Sequence, residues 1–234
     1  MNLIYNADSI KLAKKTEKKT VDLVLTDIPY GISRKNNFHT MGRTGFNFDW
    51  DKENFFVNSI SHIVPLLKKG GSALIFSSFE QIKDLDVLMH ENGMLRKDKL
   101  IWSKTNAFPR NTKRRYVASS EVINWYVTKK GKWTFNKSED VPYIKTVFEY
   151  PIATHLSKFH PTAKPIALLE KLITIHSNEG DLILDPFAGA MTTAAAADNI
   201  GRNFVVCEKD EENFLRGKEL LKKLDVKFTD GGSR

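Results

Sequence analysis

Four consecutive residues, Asp27, Ile28, Pro29 and Tyr30, combine types that could act on an aromatic amine. They follow residues 21–26, a β-branched and leucine-rich run that is typical of a buried strand. The lone pair of such an amine is delocalised into its ring, so the nitrogen is a weak nucleophile. A carboxylate and a backbone carbonyl that accept its two hydrogens favour a pyramidal nitrogen with its lone pair free to attack an electrophile.

The same four residues therefore have distinct predicted roles. We predict Asp27 as the main hydrogen-bond acceptor and the carbonyl of Ile28 as the second acceptor. Pro29 would fix the turn, and Tyr30 would provide a face on which a planar heterocycle stacks. Short acid-x-Pro-Tyr matches also arise by chance in ordinary strand-turn segments, so this interpretation depends on other motifs in the chain.

A second group follows the apolar residues 182–184, where a tight turn of small residues leads into an alanine-rich stretch. A strand, a glycine turn and a helix N-terminus form the arrangement with which doubly wound sheets hold nucleotides. About 20 residues later a second apolar run ends in an acid that could accept hydrogen bonds from ribose hydroxyls. An ordinary strand-turn-helix with an exposed acid is the alternative. The predicted cofactor contacts are Asp185, Pro186, Phe187, Gly189, Thr192 and Glu208.

These segments resemble motifs of S-adenosylmethionine-dependent DNA amino-methyltransferases. Residues 185–193, DPFAGAMTT, resemble the DPF-x-G-x-G-T-T signature that holds the cofactor, and residues 160–165, HPTAKP, resemble the H-P-T-x-K-P segment placed over its methionine part. Met191 stands where the family has a second glycine, so its side chain would have to find room beside the cofactor. The resemblance implies further cofactor contacts from His160, Thr162 and Lys164.

The turn at residues 27–30 resembles the D-P-P-Y motif of the same enzymes, with Ile28 in place of the first proline. An aspartate at its start favours adenine over cytosine as the target. The order of the motifs, catalytic first and cofactor later, resembles the permuted β group, in which a segment like residues 6–9 places Asp8 near the adenine of the cofactor. The resemblance implies methylation of the exocyclic amine of adenine in DNA. Cytosine's amine, RNA and a non-catalytic DNA-binding subunit are the alternatives.

Basic residues interleaved with aromatic ones suit contact with DNA, and the chain carries a formal charge of +8. In the related enzymes target recognition lies between the catalytic and cofactor motifs, which implies residues 105–157 here. Residues 31–51 would close over a base flipped out of the duplex. A recognition region this short predicts a short target site, lax specificity or help from a second subunit, so a homodimer is left open. The predicted DNA contacts are Arg34, Lys35, Arg43, Arg110, Lys113, Arg114 and Arg115.

The elements that must position these residues alternate along the chain. Strand-like runs and helix-like stretches that follow one another predict a mainly parallel sheet covered on both faces. Residues 121–136 are typical of a strand, a turn and a second strand, which predicts an antiparallel pair at one edge. We therefore predict one doubly wound α/β domain over residues 1–230 with a Rossmann-like methyltransferase fold. Its seven-stranded sheet would have an antiparallel edge strand, and residues 231–234 would form a flexible tail.

Composition excludes several other classes. The single cysteine, Cys207, follows two valines and is expected to be a small apolar residue rather than a carbon-5 methylation nucleophile. No zinc-ligand constellation, phosphate-binding loop or G-x-G-x-x-G run is present, so we predict no metal and no nicotinamide dehydrogenase. Neither a signal-peptide core nor an apolar run of membrane-spanning length occurs, which predicts a cytoplasmic, nucleoid-associated protein without a membrane partner.

Overall fold

A computed structural model describes residues 2–28, 55–109 and 112–233 of the chain. Within these residues helices and strands alternate almost throughout. In chain order they are β1 (Asn2–Asn6), α1 (Ser9–Lys15), β2 (Val21–Asp27), α2 (Phe55–Ile63), β3 (Leu67–Ser77), α3 (Ile82–Glu91), β4 (Met94–Lys104), β5 (Ser120–Thr128), β6 (Val147–Tyr150), α4 (Ile166–His176), β7 (Leu182–Asp185), α5 (Thr192–Asn199), β8 (Asn203–Glu208), α6 (Glu211–Lys223) and β9 (Thr229–Ser233), with 3₁₀ turns at Val64–Leu66 and Thr154–Leu156.

The strands form one sheet in the order β6-β4-β5-β3-β2-β7-β8-β1-β9. Every neighbouring pair is parallel except the two that involve β5, which runs antiparallel to β3 and β4. The predicted class, a doubly wound and mainly parallel α/β sheet, is therefore confirmed. From β2 the chain continues to β3 on one side, and from β7 it continues to β8 on the other. The carboxyl ends of β2 and β7 thus border the switch point at which such sheets bind ligands.

Three details of the predicted sheet are wrong. The described residues contain nine strands rather than seven, and the antiparallel strand β5 lies inside the sheet rather than at its edge. Residues 132–136, predicted as the second strand of an antiparallel pair, form no strand. Both hydrogen-bonding edges of β5 are already occupied by β3 and β4. The following segment runs back to α4 instead, where the Asn136 N–H donates to the Ile175 carbonyl at 2.7 Å.

The C-terminal end of the chain and one helix boundary also differ from the prediction. Residues 231–233, predicted as a flexible tail, belong to β9, which pairs with β1. A Cβ on Gly231 would lie 1.9 Å from Cε1 of Tyr5, so the backbone there packs directly on the aromatic ring. Apolar residues at helical spacing in residues 54–67 predict a helix that stops at Lys68 to Gly71. Helix α2 ends earlier, at Ile63, and those four residues lie within β3.

Apolar side chains cover both faces of the sheet. One face packs against α4, α5 and α6, and the other against α1, α2 and α3. The four alanines at residues 194–197 are fully buried and let α5 lie close to the sheet and to α4. Among residues 2–28, 55–109 and 112–233, no helix is both long and apolar enough to cross a membrane.

Candidate active site

Two acids lie at the carboxyl ends of neighbouring parallel strands. Asp27 ends β2 and Asp185 ends β7, as the repeated pattern of a buried strand followed by an acid predicts. The Thr26 hydroxyl donates to Oδ1 of Asp185 at 2.7 Å, and the Phe187 N–H donates to the same oxygen at 3.1 Å. Burial raises the pKa of Asp185 to about 6, although hydrogen bonds from Thr193, Thr26 and Phe187 oppose the shift. Asp185 therefore holds the start of the glycine turn.

Lys164, predicted from the HPTAKP segment, places its ammonium between two carboxylates. Its Nζ donates to Oδ2 of Asp27 and lies 3.2 Å from Oε2 of Glu121. The other oxygen of Glu121 lies 2.7 Å from Nζ of Lys104. Burial alone would lower the pKa of Lys164, but Asp27 and Glu121 outweigh it and raise that pKa, so the side chain is a fixed cation.

The HPTAKP segment also contacts the glycine turn. Gly189 has φ of +49°, and a Cβ added to it would lie 3.7 Å from the imidazole of His160. The Thr162 hydroxyl lies 3.1 Å from Nδ1 of His160. Burial lowers the pKa of His160 to about 4, and the nearby charges of Lys164 and Arg216 lower it further, so the imidazole is neutral at pH 7. Two motifs that lie about 20 residues apart in the sequence thus form one surface.

Glu208 ends β8 beside that surface, as predicted. Its Oε2 accepts from the Gly189 N–H at 2.9 Å, and its Oε1 accepts from the Asp210 N–H at 2.8 Å. Burial raises the pKa of Glu208, and these backbone donors oppose the shift. Asp8 follows Ala7, whose backbone N–H donates to the Glu208 carbonyl at 3.1 Å. Its carboxylate caps α1 by accepting from the Lys11 N–H at 2.8 Å.

Comparison with known proteins assigns this arrangement to a family. A family model described as DNA methylase, which covers the N6 and N4 types, matches residues 21–219. The chain belongs to this DNA methylase family. The predicted DNA methyltransferase is thereby confirmed at the level of the family.

Individual relatives of this methylase align with nearly the whole of its chain. The DNA adenine methyltransferase YhdJ of Escherichia coli (strain K12) is 30% identical over 260 residues, covering 95% of this chain and 82% of YhdJ. The type II methyltransferase M2.LlaDCHI of Lactococcus lactis subsp. cremoris is 28% identical over 240 residues, covering 94% and 89%. The crystal structure of the M1.HpyAVI-SAM complex matches with a TM-score of 0.76 at 35% identity, covering 94% of this chain and 99% of that one.

Met191 is accommodated in the methylase by a glycine on another helix. Its backbone has φ of +59°, a conformation that suits the family's glycine, and its side chain is fully buried. A Cβ on Gly217 of α6 would lie 2.7 Å from Cγ of Met191 and 3.1 Å from its Sδ. The methionine therefore packs against α6, which is where the side chain finds the room that the sequence required.

The predicted DNA contacts fall into two groups. Lys113, Arg114 and Arg115 are exposed in the connection between β4 and β5, together with the fully exposed Tyr116. This connection starts and ends at the sheet edge that carries Asp27, because Ser77 of β3 pairs with Val122 at the start of β5. The other predicted DNA contacts, Arg34, Lys35, Arg43 and Arg110, lie outside the described part of the chain. Pro29 and Tyr30 of the predicted catalytic turn lie outside it as well.

Glu121 and Lys104 belong to the site, although no sequence motif indicates them. Burial alone would raise the pKa of Glu121, but Lys164 and Lys104 lower it to about 2, so it is a permanent anion in the site. The available signal was an acid directly before a mostly apolar run, residues 122–127. An acid in that position needs a cation nearby, but the sequence does not reveal which lysine provides it.

Proposed function

We propose that this methylase transfers a methyl group from S-adenosylmethionine to the exocyclic amine of adenine in DNA, as a member of the permuted β group. The observation that carries the proposal is the placement of Asp27 and Asp185 on neighbouring parallel strands at the switch point of the sheet. This placement puts Asp27, the hydrogen-bond acceptor for the target amine, beside the glycine turn that follows Asp185. The adenine methyltransferase YhdJ supports the choice of base, and the M1.HpyAVI-SAM complex supports the choice of cofactor.

The residues around the glycine turn fit this cofactor. Carboxylate oxygens each accept more than one hydrogen bond, so Glu208 can hold ribose hydroxyls while it keeps its contacts with Gly189 and Asp210. The neutral imidazole of His160 adds no positive charge beside a sulfonium. When bound, S-adenosylmethionine supplies an electrophilic methyl group. The residues proposed to hold it are Asp8, His160, Thr162, Lys164, Asp185, Pro186, Phe187, Gly189, Thr192 and Glu208.

The chain's own residues would prepare the amine. Asp27 and the backbone carbonyl of Ile28 accept its two hydrogens, which directs the nitrogen lone pair out of the ring. Lys164 donates to Asp27 and so fixes the orientation of the carboxylate. The nitrogen loses one proton on methylation, and Asp27 is the adjacent acceptor. Catalysis of this kind rests on positioning rather than on a covalent intermediate.

The target base must leave the duplex to reach Asp27. We propose that Tyr30 stacks on the flipped base and that residues 31–51 close over it, with Arg34, Lys35 and Arg43 on the backbone. Residues 105–157 would recognise a short target site, with Arg110, Lys113, Arg114 and Arg115 contacting phosphates. The exposed cations beside the catalytic edge support this placement.

Transfer of labelled methyl from S-adenosylmethionine to unmethylated duplex DNA, followed by mass analysis of the nucleosides, tests the proposal. We expect N6-methyladenine. N4-methylcytosine would correct the base, since the family model covers both types. Transfer to structured RNA in preference to DNA, or no transfer at all, would contradict the proposal.

The catalytic assignment has its own test. Replacing Asp27 with alanine removes the main acceptor, so we expect kcat to fall by about 100-fold or more. Calorimetric titration should show that the Asp27→Ala variant still binds S-adenosylmethionine, because the glycine turn is unchanged. A variant that keeps its methyl-transfer rate would rule out the proposed role of Asp27.

A further inference from the structure

Four side chains of alternating charge connect the catalytic carboxylate with the base of the β4–β5 connection. Lys104 lies 2.7 Å from Glu121, and Glu121 lies 3.2 Å from Lys164, which in turn donates to Asp27. All of these side chains are at most about a quarter exposed, and that of Lys164 is only 8% exposed. Because opposite charges alternate, each ion lies against a counter-ion that offsets part of the cost of its burial.

The chain geometry places Glu121 at a junction. Lys104 is the last residue of β4 and Glu121 the second residue of β5, so both lie where residues 105–119 leave and rejoin the sheet. The Lys104 N–H donates to the Ser119 carbonyl at 2.7 Å, which closes this connection at its base. Since β5 runs antiparallel to its neighbours, its first residues lie at the same edge as Asp27.

The ammonium of Lys164 must be shared between two acids. It lies 5.1 Å from the ring centroid of Phe76 and is buried, so it needs a carboxylate partner at all times. The proposed reaction requires Asp27 to accept a hydrogen from the target amine while its Oδ2 keeps the hydrogen bond from Lys164. Glu121 binds the same ammonium and so holds Lys164 in the position from which it orients Asp27.

We infer that Glu121 is a positioning residue: it holds Lys164 so that Asp27 can accept the amine of the target base. The inference rests on the proposed function, because it assigns Asp27 to the amine. Without the charge of Glu121, Lys164 has Asp27 as its remaining carboxylate partner among the described residues, and its ammonium is no longer held in place. The amine then meets an acceptor whose orientation is no longer fixed.

Steady-state kinetics of Glu121→Gln tests this inference. The substitution keeps the shape of the side chain and removes its charge. We expect kcat to fall about 10- to 100-fold, as for other losses of positioning, while the KM for DNA and the calorimetric Kd for S-adenosylmethionine stay unchanged. Glu121→Asp, which keeps the charge, should restore part of the rate. A purely structural role would instead weaken cofactor binding and raise the KM for DNA in both variants.

A double-mutant cycle shows whether Glu121 acts through Lys164. If it does, Glu121→Gln combined with Lys164→Met should be no slower than Lys164→Met alone. If the rate losses of the two single variants multiply in the double variant, the inference is overturned. A Glu121→Gln enzyme with the wild-type kcat would overturn it as well.

The matched control is Asp22→Asn, which neutralises an acid at the opposite end of β2 that binds Lys68 at 2.7 Å. Its kcat should equal that of the wild type. Failure of the proposed function has a different signature, because the wild-type enzyme itself would then leave adenine unmethylated.

Discussion

At the scale of single residues, Asp27, Lys164 and Glu121 are joined by ion pairs at the edge of the sheet. The motifs identified Asp27, Lys164 and Asp185 because their spacing resembles that of a family. They did not indicate that Lys164 lies on Asp27, since a contact across 137 positions depends on the order of the strands. Glu121 carries no motif and emerges only from the contact. Residue types can therefore be predicted from sequence, whereas the ion pairs that orient them require the fold.

His176 provides a residue-scale prediction that is independent of catalysis. It is 3% exposed at the end of α4, its ring centroid lies 4.6 Å from that of Trp125, and its Nδ1 has no hydrogen-bond partner within the described residues. Burial lowers the pKa of His176 from 6.5 to about 4, although a hydrogen bond with Thr134 opposes the shift. The unfolded chain therefore binds a proton at a pH where the folded protein does not, and the resulting loss of stability grows as the pH falls from 6.5 toward 4.

Replacing His176 with phenylalanine should reduce this acid sensitivity. Between pH 7.5 and pH 5.0 the wild type should lose about 2 kcal/mol of unfolding free energy through His176, and the variant should lack that contribution. Urea unfolding of both proteins at the two pH values measures the difference. Asp185, whose raised pKa of about 6 acts in the opposite direction, is common to both proteins and cancels. Equal pH dependence in the two proteins would refute the prediction.

Elements were predicted best where the strand or helix has a clear apolar pattern. Pro165 and the apolar spacing after it predict α4, which spans Ile166–His176, and the apolar runs at residues 21–26, 72–76, 99–102, 122–127, 182–184 and 204–207 each lie within an observed strand. The missed elements are β1, α3, β6 and β9, which are short, half-exposed or rich in polar residues. β9, with the sequence TDGGS, has no local strand signal and forms because β1 provides a parallel edge.

The packing of α5 on α6 gives a prediction at the scale of elements. Gly217 lies in the middle of α6, where an alanine would ordinarily stabilise a helix by about 1 kcal/mol. Here a Cβ would lie 2.7 Å from the buried Met191, so we expect Gly217→Ala to lower the free energy of unfolding by about 1 to 3 kcal/mol instead. Chemical denaturation measures the change.

A rescue experiment separates this packing from helix propensity. Met191→Gly removes the obstructing side chain and suits the positive φ at that position. In the Met191→Gly background, Gly217→Ala should therefore be better tolerated than in the wild type. Equal costs in both backgrounds would show that the two residues do not constrain each other.

At the scale of the whole molecule, two clusters of lysine and arginine lie on different elements of the fold. Lys113, Arg114 and Arg115 extend from the edge that carries Asp27, whereas Lys14, Lys15 and Lys18 lie on and after α1. Replacing the first three with alanine should reduce the slope of log K against log salt for duplex DNA by about 2 to 3. Fluorescence anisotropy at several salt concentrations measures the slope.

The lysines of the α1 region provide the matched control for this charge effect. Alanines at Lys14, Lys15 and Lys18 remove the same net charge and should leave the slope unchanged if DNA binds only at the catalytic edge. A comparable reduction in both triple variants would mean that binding follows net charge rather than the β4–β5 connection.

The reversed direction of β5 also has a consequence for how such a protein could diversify. Since β4 and β5 pair from Met94 with Thr128 to Ser103 with Ser120, the two ends of the intervening connection are held at a fixed separation. Residues could be inserted or exchanged between positions 105 and 119 without moving either strand, because lengthening a surface loop costs little free energy. New target preferences could therefore arise by grafting a foreign segment at this point, while the apparatus for methyl transfer is inherited intact.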